Sequence, residues 1–370
     1  MIESPVERLA KSHPDLEIWW DSSPLVYNQW VQKMLNAAEP SRKPILEEQL
    51  ARLYNVDAPA KSIFRGCTTN PPLSWQAVQS DPNFWSGWVD DLIRDNPDLG
   101  LKELVWLMYK EVVKRGAEMY MPIFEASKGR FGWISGQLDP RLFTESGQMI
   151  HDAGELSALS PNTTVCFTLP QILASANAAM EGIKIAEQNG VDLSRWRAVV
   201  TMMIGLLTEQ KALDVQAQRR NIQLSWQDKH WFGIAVFRRA YRILTEAGYA
   251  SKMLACSMRV GPLVAGKMRF WDVQKLAGGD IVYTCPPYVL EPLFELGDDL
   301  IFRSEIEAEV PAQVMDKLSK IPFCIQAYDP NGLALEQFND HPSTVSPVEA
   351  FSKGFTGLEG FIHDRMAACH

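Results

Sequence analysis

Between Lys128 and Lys184 the chain has no lysine. Any chemistry that needs a primary amine must draw it from outside that stretch. The six cysteines include no C-x-x-C pair, so a zinc ribbon or a dithiol redox centre has no support. The six histidines (His13, His151, His230, His341, His363 and His370) show no metal-ligand spacing, and none falls on an expected strand, so the sequence implies no metal site and no cofactor. No apolar run approaches the eighteen or more residues of a membrane span. The first ten residues carry Glu3, Glu7 and Arg8 and lack the basic and apolar regions of a signal peptide. A net charge of -9 argues against nucleic acid, whose phosphates call for a basic face. The expectation is therefore a cytoplasmic protein acting on a small molecule, with neither membrane nor nucleic-acid partner and with a homodimer left open.

What is present suffices for a large core: 370 residues, 46% hydrophobic and 22% charged. Short apolar runs alternate with longer amphipathic stretches, the pattern of parallel strands joined by crossover helices. The runs place strands at residues 16–21, 62–68, 132–138, 163–169, 198–204, 252–258 and 280–285. Cys67, Cys166, Cys256 and Cys285 fall on those strands, where reduced, buried thiols are the plain reading. Helices fill the intervals. One runs from Gln171 to Asn189, with Leu173, Ala176, Ala179, Ile183 and Ala186 at helical spacing; another runs from Trp231 to Ala247, opened by a polar run around Gln227 and Asp228. No fixed-period repeat, low-complexity tract or linker interrupts the pattern, so the expectation is one domain over 1–370 with an N-terminal helix and a C-terminal helical tail.

Five segments then point one way. The run Phe64–Leu73, containing Thr68-Thr69-Asn70-Pro71, resembles the second strand and following turn of the transaldolase family. Ile18–Asp21, Ser135–Leu142, Gly190–Arg195 leading into Ala198–Thr201, and Ala255–Arg259 resemble the same family in the same order, over roughly residues 16–295. The resemblance implies an α/β fold, a TIM-type (β/α) barrel with its site at the strand C-terminal ends. It further implies a sugar-phosphate substrate, Asn70 toward a carbonyl, and Ser257 and Arg259 toward a phosphate.

The same resemblance exposes three departures. The family's Schiff-base lysine has Thr168 in its place, on the run Val165–Pro170. Its third-strand glutamate is Gln137, and its phosphate arginine after Thr201 gives way to Ile204–Leu207. A hydroxyl and an amide form no iminium and move no proton near neutral pH, so the family's covalent route cannot run on these residues. Seven strands are found where a complete barrel of this class has eight, so one strand-helix unit is missing or is rebuilt from the polar segment Leu213–Leu224.

Period two along each strand places Trp19 with Asp21, Ser135 and Trp133 with Gln137, Cys166 with Thr168, and Met203 with Thr201. The candidate catalytic residues are thus Asp21, Asn70, Gln137, Thr168 and Thr201. The candidate binding residues are Arg259, Ser257, Thr68, Trp19, Trp133 and Met203. Plain alternatives stay open at this point: Asp21 as a helix cap, the Asn70-Pro71 dipeptide as an ordinary turn, Arg259 paired to a carboxylate, and Trp19, Trp133 and Met203 as core filling.

Three functional classes fit. The first is a transaldolase-like enzyme without Schiff-base chemistry, a lyase, isomerase or cyclase of specialised biosynthesis that acts on a phosphorylated or diphosphorylated metabolite with Asp21 as acid or base. The second is an aldolase or transaldolase whose amine is relocated to a loop lysine such as Lys267. The third is a metabolite-binding barrel without catalysis.

Overall fold

The structure, a computed structural model, describes residues 2–192, 199–249 and 251–369. The chain divides into two compact units: the first comprises Met1–Ile18 and Leu169–Val345, the second Trp19–Thr168 and Ser346–His370. Among the described residues a strand occurs at each of the seven expected places.

The second unit holds most of β1 (Glu17–Asp21) and all of β2 (Phe64–Thr68), β3 (Trp133–Gln137) and β4 (Thr163–Cys166). The register of β2 on β3 sets Cys67 opposite Ile134, and that of β3 on β4 sets Gln137 opposite Cys166, both parallel. Alternation along β1 sends its two tryptophans to opposite faces. Trp20 joins Tyr27, Trp30 and Phe64, with ring centroids 4.9–5.7 Å away, in the helix-covered core. Trp19 turns the other way and lies flat against Gly66, whose missing side chain leaves room for the indole. The helix Pro71–Ser80 starts where Asn70 accepts from the Leu73 N–H at 3.0 Å, with proline at its first positions.

The first unit holds β5 (Val199–Met203), β6 (Lys252–Cys256), β7 (Leu263–Val264), β8 (Lys267–Met268) and β9 (Ile281–Cys285). Strands β5, β6 and β9 pair in parallel, Val200 with Met253 and Leu254 with Val282, while β7 and β8 make a short antiparallel hairpin. The long helix here is Trp226–Glu246, which begins five residues before the expected start. Ser225 and Asp228 form a reciprocal capping box, so the polar run is the helix's own first turn. Leu213–Leu224 is not a rebuilt strand either: Lys211–Arg219 is helical, with Leu213 and Ala217 buried one turn apart.

Between β4 and β5 the chain forms the helix Leu173–Gln188, and no strand occurs among the described residues there; Leu193–Ala198, with the expected Arg195 motif, lie outside them. Gln171 supplies what a strand would. Its side-chain oxygen accepts the Met203 N–H of β5 at 2.8 Å, and its own N–H donates to Ser343 at 2.9 Å. The hydroxyl of Ser343 lies 2.8 Å from Nδ1 of His341, which stacks on Phe323. The fold class is α/β, with the strand-helix alternation of a TIM-type (β/α) barrel. Among the described residues no helix is long and apolar enough to cross a membrane.

Candidate active site

In the second unit the C-terminal ends of parallel strands carry Asp21, Thr68 and Gln137, with Asn70 and Thr168 just beyond. Thr68 donates its hydroxyl proton to Asp21 at 2.9 Å, a contact set by the neighbouring ends of β1 and β2. Part of the Asp21 surface is open, yet its carboxyl is desolvated, and that burial pushes its pKa up to about 7 against the weaker opposing pull of the Thr68 hydrogen bond. The residue does not cap the following helical turn. Ser23 does so, accepting from the Leu25 N–H at 3.3 Å.

Gln137 and Thr168 pair with each other. The amide donates to the hydroxyl at 3.2 Å, and the Gln137 backbone N–H donates to the buried hydroxyl of Tyr109 at 2.8 Å. Asn70 spends its carbonyl oxygen on the helix cap, which leaves its amide N–H groups without a protein acceptor among the described residues. Trp133 stands at the first position of β3, four residues from Gln137, so it belongs to the opposite end of the strand. It packs edge-on against Phe124, with its indole N–H buried and without an acceptor among the described residues.

The first unit carries the other expected residues. Thr201 and Met203 lie on β5, and Met203 is tied to Gln171 as above. Ser257 follows β6 in the left-handed region, at φ 52°, a strained conformation for serine. Its carbonyl accepts from Nη1 of Arg259 at 2.6 Å, so its backbone rather than its hydroxyl serves the arginine. Arg259 meets Glu209 in a two-pronged ion pair, Nε to Oε1 and Nη2 to Oε2, each at 2.7 Å. Nη1 also reaches the Tyr288 hydroxyl at 3.0 Å. The Arg259 backbone N–H donates to Asp272 at 2.7 Å, and the other oxygen of Asp272 lies 2.6 Å from Nδ1 of His230. Gly205 makes this fold-back feasible, since a Cβ there would overlap the Ser257 carbonyl and lie 2.8 Å from Cγ of Arg259.

Sequence reasoning missed Glu209, His230 and Asp272. Glu209 lies fifty residues from Arg259 in the chain, and no local pattern joins them. His151, Asp152 and Glu155 bring three metal-ligand types together on one helix. Glu155 is already engaged by the Lys110 ammonium at 3.1 Å and by the Trp106 N–H, and Asp152 by the Gln148 amide at 2.7 Å, so the cluster is satisfied by protein donors. Lys267 sits exposed on β8, 3.4 Å from Asp299.

The fold is that of an α/β protein of the TIM-barrel type, and in the second unit polar side chains gather at strand C-terminal ends. No family model matches the chain. Among individual proteins it is similar to transaldolase 1 of Streptomyces avermitilis, 27% identical over 179 residues, which is 47% of this chain and 45% of that one. It is similar also to the transaldolase of Kocuria rhizophila, 26% identical over 212 residues (49% and 56% of the two chains), and to that of Arthrobacter sp. strain FB24, 23% identical over 304 residues (68% and 78%). The chain is a distant relative of the transaldolases. Its match spans about half the length of the first two of these relatives.

Proposed function

We propose that the protein is a transaldolase-like enzyme that works without a Schiff base, by acid-base catalysis of a lyase, isomerase or cyclase reaction on a phosphorylated or diphosphorylated metabolite. The observation that carries this reading is Asp21. A carboxyl held at the end of β1 with a pKa near 7 is poised to be protonated in the resting enzyme and to give its proton up during a turnover. Thr68 orients it by one hydrogen bond. Gln137 and Thr168, which stand where the resemblance puts a glutamate and a lysine, bond to each other and offer neutral hydrogen-bonding groups to a substrate oxygen. Asn70 keeps free amide donors for a carbonyl, the role the resemblance gives it. In the first unit, taken by itself, the resemblance gives a phosphate contact to Arg259, whose planar fork matches phosphate oxygens, and to Ser257.

A first test addresses the excluded chemistry. After incubation with dihydroxyacetone or fructose 6-phosphate and borohydride, the intact mass of the protein is expected to be unchanged, because reduction traps only an iminium. A stable adduct mapped to a lysine, Lys267 included, would overturn the non-covalent reading in favour of a relocated amine. Mass-spectrometric identification of a co-purifying small molecule would then supply the substrate for the turnover measurements below.

A further inference from the structure

We propose that Glu209 is a tethered carboxylate that occupies the fork of Arg259 and thereby decides which anions reach it. This inference rests on the reading of Arg259 as an anion contact. The geometry is that of a ligand already in place, with two parallel N–H to oxygen bonds of 2.7 Å filling the edge of the guanidinium that would face a phosphate. The remaining nitrogen is turned to the Ser257 carbonyl and the Tyr288 hydroxyl. No incoming anion gains the two-pronged contact unless Glu209 leaves.

Glu209 is built to leave. Its side chain is 55% exposed, against 28% for Arg259, and it stands in the short connection between the helices Ile204–Thr208 and Lys211–Arg219. Among the described residues its carboxylate bonds to Arg259 alone. Arg259, by contrast, is anchored through its backbone by Asp272 and through Nη1 by three further acceptors, the Ser257 and Met258 carbonyls and the Tyr288 hydroxyl. A pair whose carboxylate is largely open to water separates at small cost, while the tether keeps that carboxylate at a high effective concentration beside the fork. A free monocarboxylate carries the same charge without the tether and loses that competition. A phosphate dianion or a diphosphate, with more charge and more oxygens, wins it. Glu209 thus selects multiply charged anions over carboxylates.

Titration calorimetry with inorganic pyrophosphate and with acetate tests this on the full chain. The wild type is expected to bind pyrophosphate and to show no saturable binding of acetate at millimolar concentration. Glu209→Gln is expected to tighten pyrophosphate severalfold, up to about fivefold, and Glu209→Asp, which keeps the charge but falls one methylene short of the fork, to tighten it by a similar factor. Arg259→Gln should abolish binding in either background, with thermal melts checking that each variant folds. Unchanged affinity in both Glu209 variants, with binding still lost in Arg259→Gln, would overturn the selector while leaving the anion contact standing. Pyrophosphate binding that survives Arg259→Gln, or no binding by any of the proteins, would overturn the anion contact itself.

Discussion

Replacing Asp21 by Asn is expected to stabilise the protein at pH 8 and to cripple its turnover. The carboxyl ionises near 3.8 when the chain is unfolded and near 7 when folded, so between those values the folded state holds the proton more tightly. Stability therefore falls as pH rises through that window, and the penalty is complete above about pH 7. At 1.36 kcal/mol per pKa unit the penalty is at most about 4 kcal/mol, and the partial opening of the residue trims it to about 2 kcal/mol. Asparagine keeps the acceptor that Thr68 uses and carries no charge. Urea denaturation should then show Asp21→Asn more stable than wild type by about 2 kcal/mol at pH 8, with the difference vanishing near pH 4. Equal stability at both pH values would mean that the carboxyl is not desolvated. On the substrate identified by mass spectrometry, loss of a general acid should cost about 10² to 10⁴ in rate. A variant that turned over at the wild-type rate would remove Asp21 from the chemistry.

The second large effect belongs to Gly66, which supports the same corner of the site from beneath. A Cβ at this position would overlap the Trp19 ring, with Cζ2 at 2.8 Å. Trp19 is only 4% exposed, and a rigid indole in a filled space cannot step aside cheaply. Gly66→Ala is expected to destabilise by about 3 kcal/mol, in the upper range for overpacking a core. Because β1 carries both Trp19 and Asp21, the displacement should also disturb the Asp21 to Thr68 contact. Combining it with Trp19→Leu discriminates cause from coincidence. The double variant should lose at least about 1 kcal/mol less than the two single losses added together, and strict additivity would show that the indole is not what the new methyl meets.

The sequence by itself determined the class of fold and where its strands lie. Apolar runs bounded by turn residues report burial on both faces, and that signal is local, so all seven strands were legible to within a few residues. Period two was equally local: it sent Trp19 and Trp20 to opposite faces of β1 before any packing was known. The missing lysine was legible as a plain absence, and Asp21 and Asn70 as strand-end residues. Helix starts were less so, because the polar run at Ser225–Asp228 reads as a loop until a serine and an aspartate are seen capping one another.

Only the tertiary structure decided what each polar group is doing. Asp21 could have been a cap; the packing gave that task to Ser23 and left the carboxyl desolvated beside Thr68. Arg259 could from the sequence be an anion contact or one half of an ion pair, and the fold sets Glu209 in its fork. Gln171, an unremarkable residue at the head of a helix, takes over a backbone hydrogen bond of β5. The physical reason is the same in each case. Secondary structure follows from periodicities of a few residues, whereas desolvation, ion pairing and hydrogen-bond satisfaction depend on which distant segments the fold brings within about 3 Å of one another.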